Sequence, residues 1–131
     1  MFVQTMGASI TSAGSGICES DPNGKSQHEA GAKMDSGKVR MDLLVDGFPR
    51  ALKAIAEVAT YGANKYTDNG WIDVPEGDKR YKAAMYRHFN SAAMGEIMDS
   101  ESGLLHLAHG AWGALAVLEL YLRSLNGGDN V

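Results

Sequence analysis

A chain of 131 residues with 44% hydrophobic content suits one domain with a real but modest core, which oligomerisation would help. The net charge of −4 lacks the basic footprint of a duplex binder, so nucleic acid is not the expected partner. One cysteine, Cys18, excludes an intrachain disulfide framework and a CxxC zinc site, and no apolar run approaches membrane-spanning length. With no basic region ahead of a hydrophobic stretch in MFVQTMGASITSAGSG, the expectation is a cytoplasmic protein with no membrane partner.

Residues 1–33 are rich in Gly, Ser, Asn, Asp and Thr, with few side chains whose burial would offset the entropy of ordering, and are expected to be a disordered tail. Residues 34–131 form the expected domain. The tail contains Asn23-Gly24-Lys25-Ser26, but a phosphate-binding P-loop needs glycine where Glu19 stands. Next, DSGKVRMDLL sets Lys38 and Arg40 in an extended stretch before an apolar pair, as phosphate contacts or as surface charges.

Pro49 sits well at a first helical turn, and Leu52, Ile55, Ala59, Ala63 and Tyr66 recur at helical spacing, predicting a first helix over 49–65 that Gly62 could end or loosen. Its Glu57, Tyr61 and Lys65 share another stripe, ordinarily a solvated one. TDNGWIDVPEGD reads as a loop, in which Trp71 either stacks on a ligand or plugs the core.

A second helix is predicted over 78–98 and a third from the Asp99-Ser100-Glu101-Ser102 cluster to Leu125, with Gly127-Gly128 as its stop. With no convincing alternating strand, the fold class is all-α. In the third helix Leu104, Leu107, Ala111, Leu115, Leu118 and Leu122 make a stripe expected to face the other helices. The nearly opposite side holds His106, His109, Gly110, Gly113 and Val117, where a ligand or the backbone of another helix, such as one from a second subunit, could approach closely.

His88, Ala92, Glu96 and Asp99 would share one face of an unbroken second helix. Glu96 and Asp99 form an ExxD pair suited to a hard cation such as Mg²⁺, or Asp99 or Ser100 caps the third helix while Glu101 favours its dipole. Spacing alone favours the cap, and likewise favours His106 and His109 as satisfied interface residues. No His-Asp dipeptide supports an HD-type phosphohydrolase.

The succession SGKVRMDLL, YGANKY, NGW and RHFNSAAMGEIMDSESGLLHLAH resembles a phage family of dATP/dGTP diphosphohydrolases, relatives of the MazG-type all-α pyrophosphohydrolases, from Met34 to Leu125. The resemblance implies a MazG-like helical fold and hydrolysis of a purine nucleoside triphosphate, preferably dGTP or GTP, to monophosphate and pyrophosphate. It implies two or more Mg²⁺ or Mn²⁺ ions held by Glu57, Glu96, Asp99 and Glu101, with a metal-activated water as nucleophile. Lys38, Arg40, Lys65 and Arg87 become candidate phosphate contacts, and Asn69 and Trp71 candidate base contacts. His106 and His109 become supporting or substrate residues rather than a zinc pair, because the neighbouring ligands are oxygens. A homodimer or homotetramer in the infected host cell is expected, serving modified-base synthesis or pool control. The chain departs from the MazG pattern in carrying Glu57 alone where a clustered EExxE is usual, and in reading Asn69-Gly70-Trp71 where asparagine directly precedes tryptophan. The first departure also suits a non-catalytic helical or nucleotide-binding protein.

Overall fold

The computed structural model describes residues 19–127; Cys18, the tail before it and Gly128 lie outside them. The chain divides into two compact units after Gly47.

In the first unit, Asp21 is buried and its two oxygens accept from the backbone N–H groups of Asn23 at 2.7 Å and Lys33 at 3.0 Å. One carboxylate thereby closes a loop of otherwise exposed polar residues. The expected extended stretch carries a short helix, α1 (Met41–Val45), directly after Arg40. Arg40 grips Asp42 through Nη2 at 2.6 Å, and Lys38 lies 3.7 Å from Glu19.

The second unit is all-α, as the helical periodicities predict, and the described residues contain no strand beyond an isolated bridge between Met98 and Leu105. α2 (Pro49–Lys65) begins with proline at its first turn, where a missing N–H costs nothing, and runs through Gly62 without a break. A 3₁₀ turn (Gly70–Asp73) follows, entered through Asn69 in the left-handed conformation at φ 55°. α3 (Gly77–Ala93) and α4 (His106–Leu125) make the main helix pair, and α2 packs on α4.

Two sequence expectations are corrected here. The second helix stops at Ala93, not Met98, because Gly95 takes φ 93°. The N–H of Gly95 then bonds to the Ala92 carbonyl at 3.0 Å and that of Glu96 to the Ser91 carbonyl at 3.0 Å, a Schellman closure that only glycine adopts at low cost. Residues 94–105 form a separate loop, closed by Asp99 N–H to the Leu104 carbonyl at 2.8 Å and His106 N–H to the Ile97 carbonyl at 3.0 Å. α4 therefore starts at His106, and its first turn has no side-chain cap from Asp99 or Ser100.

The faces of α4 also differ from expectation, although Leu104, Ala111 and Leu122 of the expected stripe are half-buried. Its buried residues are His106, Ala108, Gly110, Gly113 and Ala116, while Leu107, Leu115 and Leu118 are at least half exposed. The small side is covered by α3 of the same chain: a Cβ on Gly110 would enter the Phe89 ring, and one on Gly113 would lie 3.0 Å from Met85 Cβ. Glycines let the two helix backbones approach, and the leucines are left outside.

Candidate functional site

The break at Gly95 turns the 94–105 loop back over the junction of α3 and α4, so Asp99 meets His88 although they do not share a helix face. One donor atom from each of His88, Asp99 and His106 lies within 4.8 Å of the others. Nδ1 of His88 is 2.9 Å from Nδ1 of His106, a separation at which one ring must donate and the other accept. His109, one turn along α4, stacks on His88 with ring centres 4.4 Å apart and planes 10° from parallel.

Asp99 is set by its own loop. Its Oδ2 accepts from the Ser102 N–H at 2.9 Å and the Ser102 hydroxyl at 2.8 Å. The same Ser102 oxygen is 2.7 Å from Nε2 of His109, and Asp99 Oδ2 is 3.7 Å from that nitrogen. Burial opposes the charge on Asp99, but the two Ser102 hydrogen bonds and the nearby histidines outweigh it and hold the carboxyl below its ordinary range. Burial pushes both His88 and His109 below the usual imidazole value; the neighbouring rings push His88 further, whereas Asp99 partly restores His109. His106 is the most enclosed, with a side chain 6% exposed, and its Nε2 has no hydrogen-bond partner although Glu96 Oε1 is 3.4 Å away.

Beside this cluster runs an open groove of about 380 Å³, walled by Glu57, Tyr61 and Thr60 of α2 and by Ser102 and Leu104 of the loop. Tyr61 meets His109 edge-on at 6.3 Å, which joins groove to cluster. Lys65 Nζ, at the end of α2, donates to Glu101 Oε1 at 2.8 Å, and that bond raises the lysine pKa.

The expected residues are thus distributed unevenly. Asp99 and His106 converge with His88, His109 stacks on His88 and lies 3.7 Å from Asp99, Glu96 stands at the edge of the cluster, and Glu57 lines the groove. The four acids do not gather into one group of donors among the described residues; the group that forms is His88, Asp99 and His106. Lys65 and Glu101 engage each other, and Arg87 and Asn69 are exposed. Lys38 and Arg40 belong to the first unit, each beside an acid of that unit. Trp71 is held edge-to-face by Tyr81 at 6.3 Å and Trp112 at 5.7 Å, an arrangement that favours a plug over a free stacking platform.

Sequence reasoning left His88 and Ser102 out of the site. Both lie within RHFNSAAMGEIMDSESG, yet His88 was legible only as one position on a helix face, and the loop that delivers Asp99 to it depends on the Gly95 stop.

Fold and site together define an all-α domain with a histidine and carboxylate centre at a helix junction. A family model described as dATP/dGTP diphosphohydrolase, N-terminal, matches residues 28–129, and the chain belongs to that family. Its description is that of a hydrolase acting on acid anhydrides. No curated protein and no solved structure matches the chain.

Proposed function

We propose that this domain hydrolyses a purine (d)NTP, preferably dGTP or GTP, to the monophosphate and pyrophosphate. The observation that carries the proposal is the convergence of His88, Asp99 and His106, with His109 3.7 Å from Asp99, beside a groove lined by Glu57, within a chain of the dATP/dGTP diphosphohydrolase family. The motif string is also similar to MazZ, a (d)GTP-cleaving pyrophosphohydrolase of phages that replace adenine with 2-aminoadenine. That similarity supports guanine preference and dGMP supply for such a pathway.

The donor chemistry fits a divalent cation at the loop end of the groove. Asp99 is ionised and oriented by Ser102, Glu96 is 57% exposed, and buried His106 Nε2 lacks a hydrogen-bond partner. In this reading Asp99 and Glu96 would hold Mg²⁺ or Mn²⁺, with Glu57 contributing from the groove and Glu101 from the loop, which would require Glu101 to give up Lys65 and free that lysine for a phosphate. A cation so held would neutralise triphosphate charge and acidify a bound water. A carboxylate with a vacant lone pair orients that water, while His109, hydrogen-bonded to Ser102, keeps the Asp99 loop in place. Arg87 and Lys65 supply positive charge, with Lys38 and Arg40 as further phosphate candidates. Exposed Asn69 is suited to pair with a base edge.

Purified protein with Mg²⁺ or Mn²⁺ and each of the eight common nucleotides tests the proposal, with products separated by chromatography. Monophosphate plus pyrophosphate, fastest from dGTP and GTP, is expected. Equal rates on dATP and dGTP would reject guanine preference, and no turnover with retained nucleotide binding would favour a non-catalytic nucleotide-binding protein.

The proposal extends to a homodimer or homotetramer. Val58, Ala108 and Ala116 are the buried apolar residues among those described, a sparse core, while Leu115 and Leu118 stay 50% and 54% exposed on one helix. Leu115→Glu should shift sedimentation toward monomer; an unchanged profile would remove the α4 leucine face from the interface.

A further inference from the structure

We propose that His88, His106 and Asp99 form a binding site for a first-row transition-metal ion of the Zn²⁺ or Co²⁺ type, in addition to the oxygen-ligated Mg²⁺ chemistry of the proposed hydrolysis. The first ground is spacing. Two imidazole nitrogens about 2.1 Å from one octahedral cation stand about 3.0 Å apart when cis, and the Nδ1 atoms of His88 and His106 are 2.9 Å apart. A carboxylate oxygen of Asp99 completes the set within 4.8 Å. Two imidazoles and one carboxylate on three separate chain segments match the facial arrangement that leaves positions open for water or substrate oxygen.

The second ground is the buried atom that hydrogen bonding leaves unexplained. A proton shared through Nδ1 leaves His106 Nε2 protonated only when His88 is the donor, and that nitrogen is shielded from solvent with no hydrogen-bond partner. Metal at Nδ1 fixes the proton on Nε2, where Glu96 Oε1 waits 3.4 Å away. A ligating histidine whose second nitrogen donates to a carboxylate is the arrangement that raises ligand basicity and fixes the ring. Asp99 is likewise preset, since Ser102 holds it through two donors to Oδ2.

Ligand softness sets the selectivity. Imidazole nitrogen favours Zn²⁺ and Co²⁺, whereas Mg²⁺ prefers an all-oxygen shell and sheds water reluctantly. The site shares Asp99 with the cation of the proposed hydrolysis, but its occupancy is read by Co²⁺ binding in the absence of any nucleotide.

Full-length protein freed of metal by chelation and dialysis should be titrated with Co²⁺ and followed by visible absorption. One equivalent is expected to bind, to be displaced by Zn²⁺, and to resist a hundredfold excess of Mg²⁺. His88→Ala should weaken Co²⁺ at least tenfold with the helical circular dichroism retained, and His28→Ala, at an exposed position of the first unit, should not. Because a change at buried His106 risks the fold, the wild-type Co²⁺ protein supplies a second readout. Proton NMR should reveal two exchangeable imidazole N–H signals shifted far outside the diamagnetic range, one per bound histidine. Absence of saturable Co²⁺ binding, unaltered binding in folded His88→Ala, or no shifted imidazole signals would each overturn the proposal. Mg²⁺-dependent dGTP hydrolysis without Co²⁺ binding rejects this site alone; Co²⁺ binding without hydrolysis rejects the proposed function alone.

Discussion

α3 and α4 run against each other with a trio of rings at each end, and the two trios have opposite chemistry. Near the start of α3, Trp71, Tyr81 and Trp112 meet edge-to-face at 5.4 to 6.3 Å, and the Tyr81 hydroxyl donates to the Trp71 carbonyl at 3.1 Å. Near its end, His88, His106 and His109 meet at 4.4 and 5.1 Å with an ionised aspartate among them and one ring nitrogen unpartnered. Aromatic packing stabilises by area and quadrupole alone. Burying imidazoles side by side costs solvation and sets like groups against each other. The first end therefore holds the helices together, and the second is a polar investment that stability does not explain.

If that contrast is right, the two ends should fail differently. Asp99→Asn should reduce hydrolysis on the order of 10²-fold or more, since an amide is a poor hard-cation ligand and a poor base, while stability falls only modestly through the lost charge on its Ser102 hydrogen bonds; equal losses of activity and stability would erase the distinction. Trp112→Ala should do the reverse, removing about 3 kcal/mol of stability, read by denaturant unfolding, with the activity per folded molecule largely kept. Between the ends, Gly113→Ala should cost about 1 kcal/mol, because strain against Met85 Cβ exceeds the roughly 1 kcal/mol of helix propensity gained. A stabilised variant would refute close helix approach there.

The smallest expected effect is on pH. His88 and His109 have folded-state pKa values below the ordinary 6.5, so the unfolded chain binds more protons than the folded one as pH falls from 6.5 toward those lowered values. Stability should decline over that window and level off below it. Asp99, lowered from 3.8, contributes stability above that pH and loses it only as pH falls further, through its folded value. Melting temperatures between pH 8 and 5 should therefore drop at the acid side in wild type and drop less in His88→Ala. An identical profile in the two proteins would mean that His88 is not strained.

Local signals carried much of this fold. Pro49 and the Leu52-Ile55 spacing marked α2 at its observed ends, and the Leu125 terminus of α4 followed from the glycine behind it. Gly95 was the missed signal: one glycine at positive φ separates a helix that reaches Met98 from one that stops at Ala93, and with it moves Glu96 and Asp99 onto a loop. Trp71 could be read equally as ligand platform or plug until Tyr81 and Trp112 stood beside it.

Helix type and approximate extent, the all-α class, and the chemical alphabet of Glu57, Glu96, Asp99, His106 and His109 were determined by the sequence alone, because periodicity and punctuation act over a few residues. Tertiary structure decided which side of α4 is inside. Both sides were poor in charge, so hydrophobicity alone could not choose, whereas close approach to α3 at Phe89 and Met85 admits glycine and excludes leucine. It also decided that Asp99 joins His88 and His106 rather than the other three acids, since the 2.9 Å meeting of two imidazoles depends on two helices and a loop closing on one another.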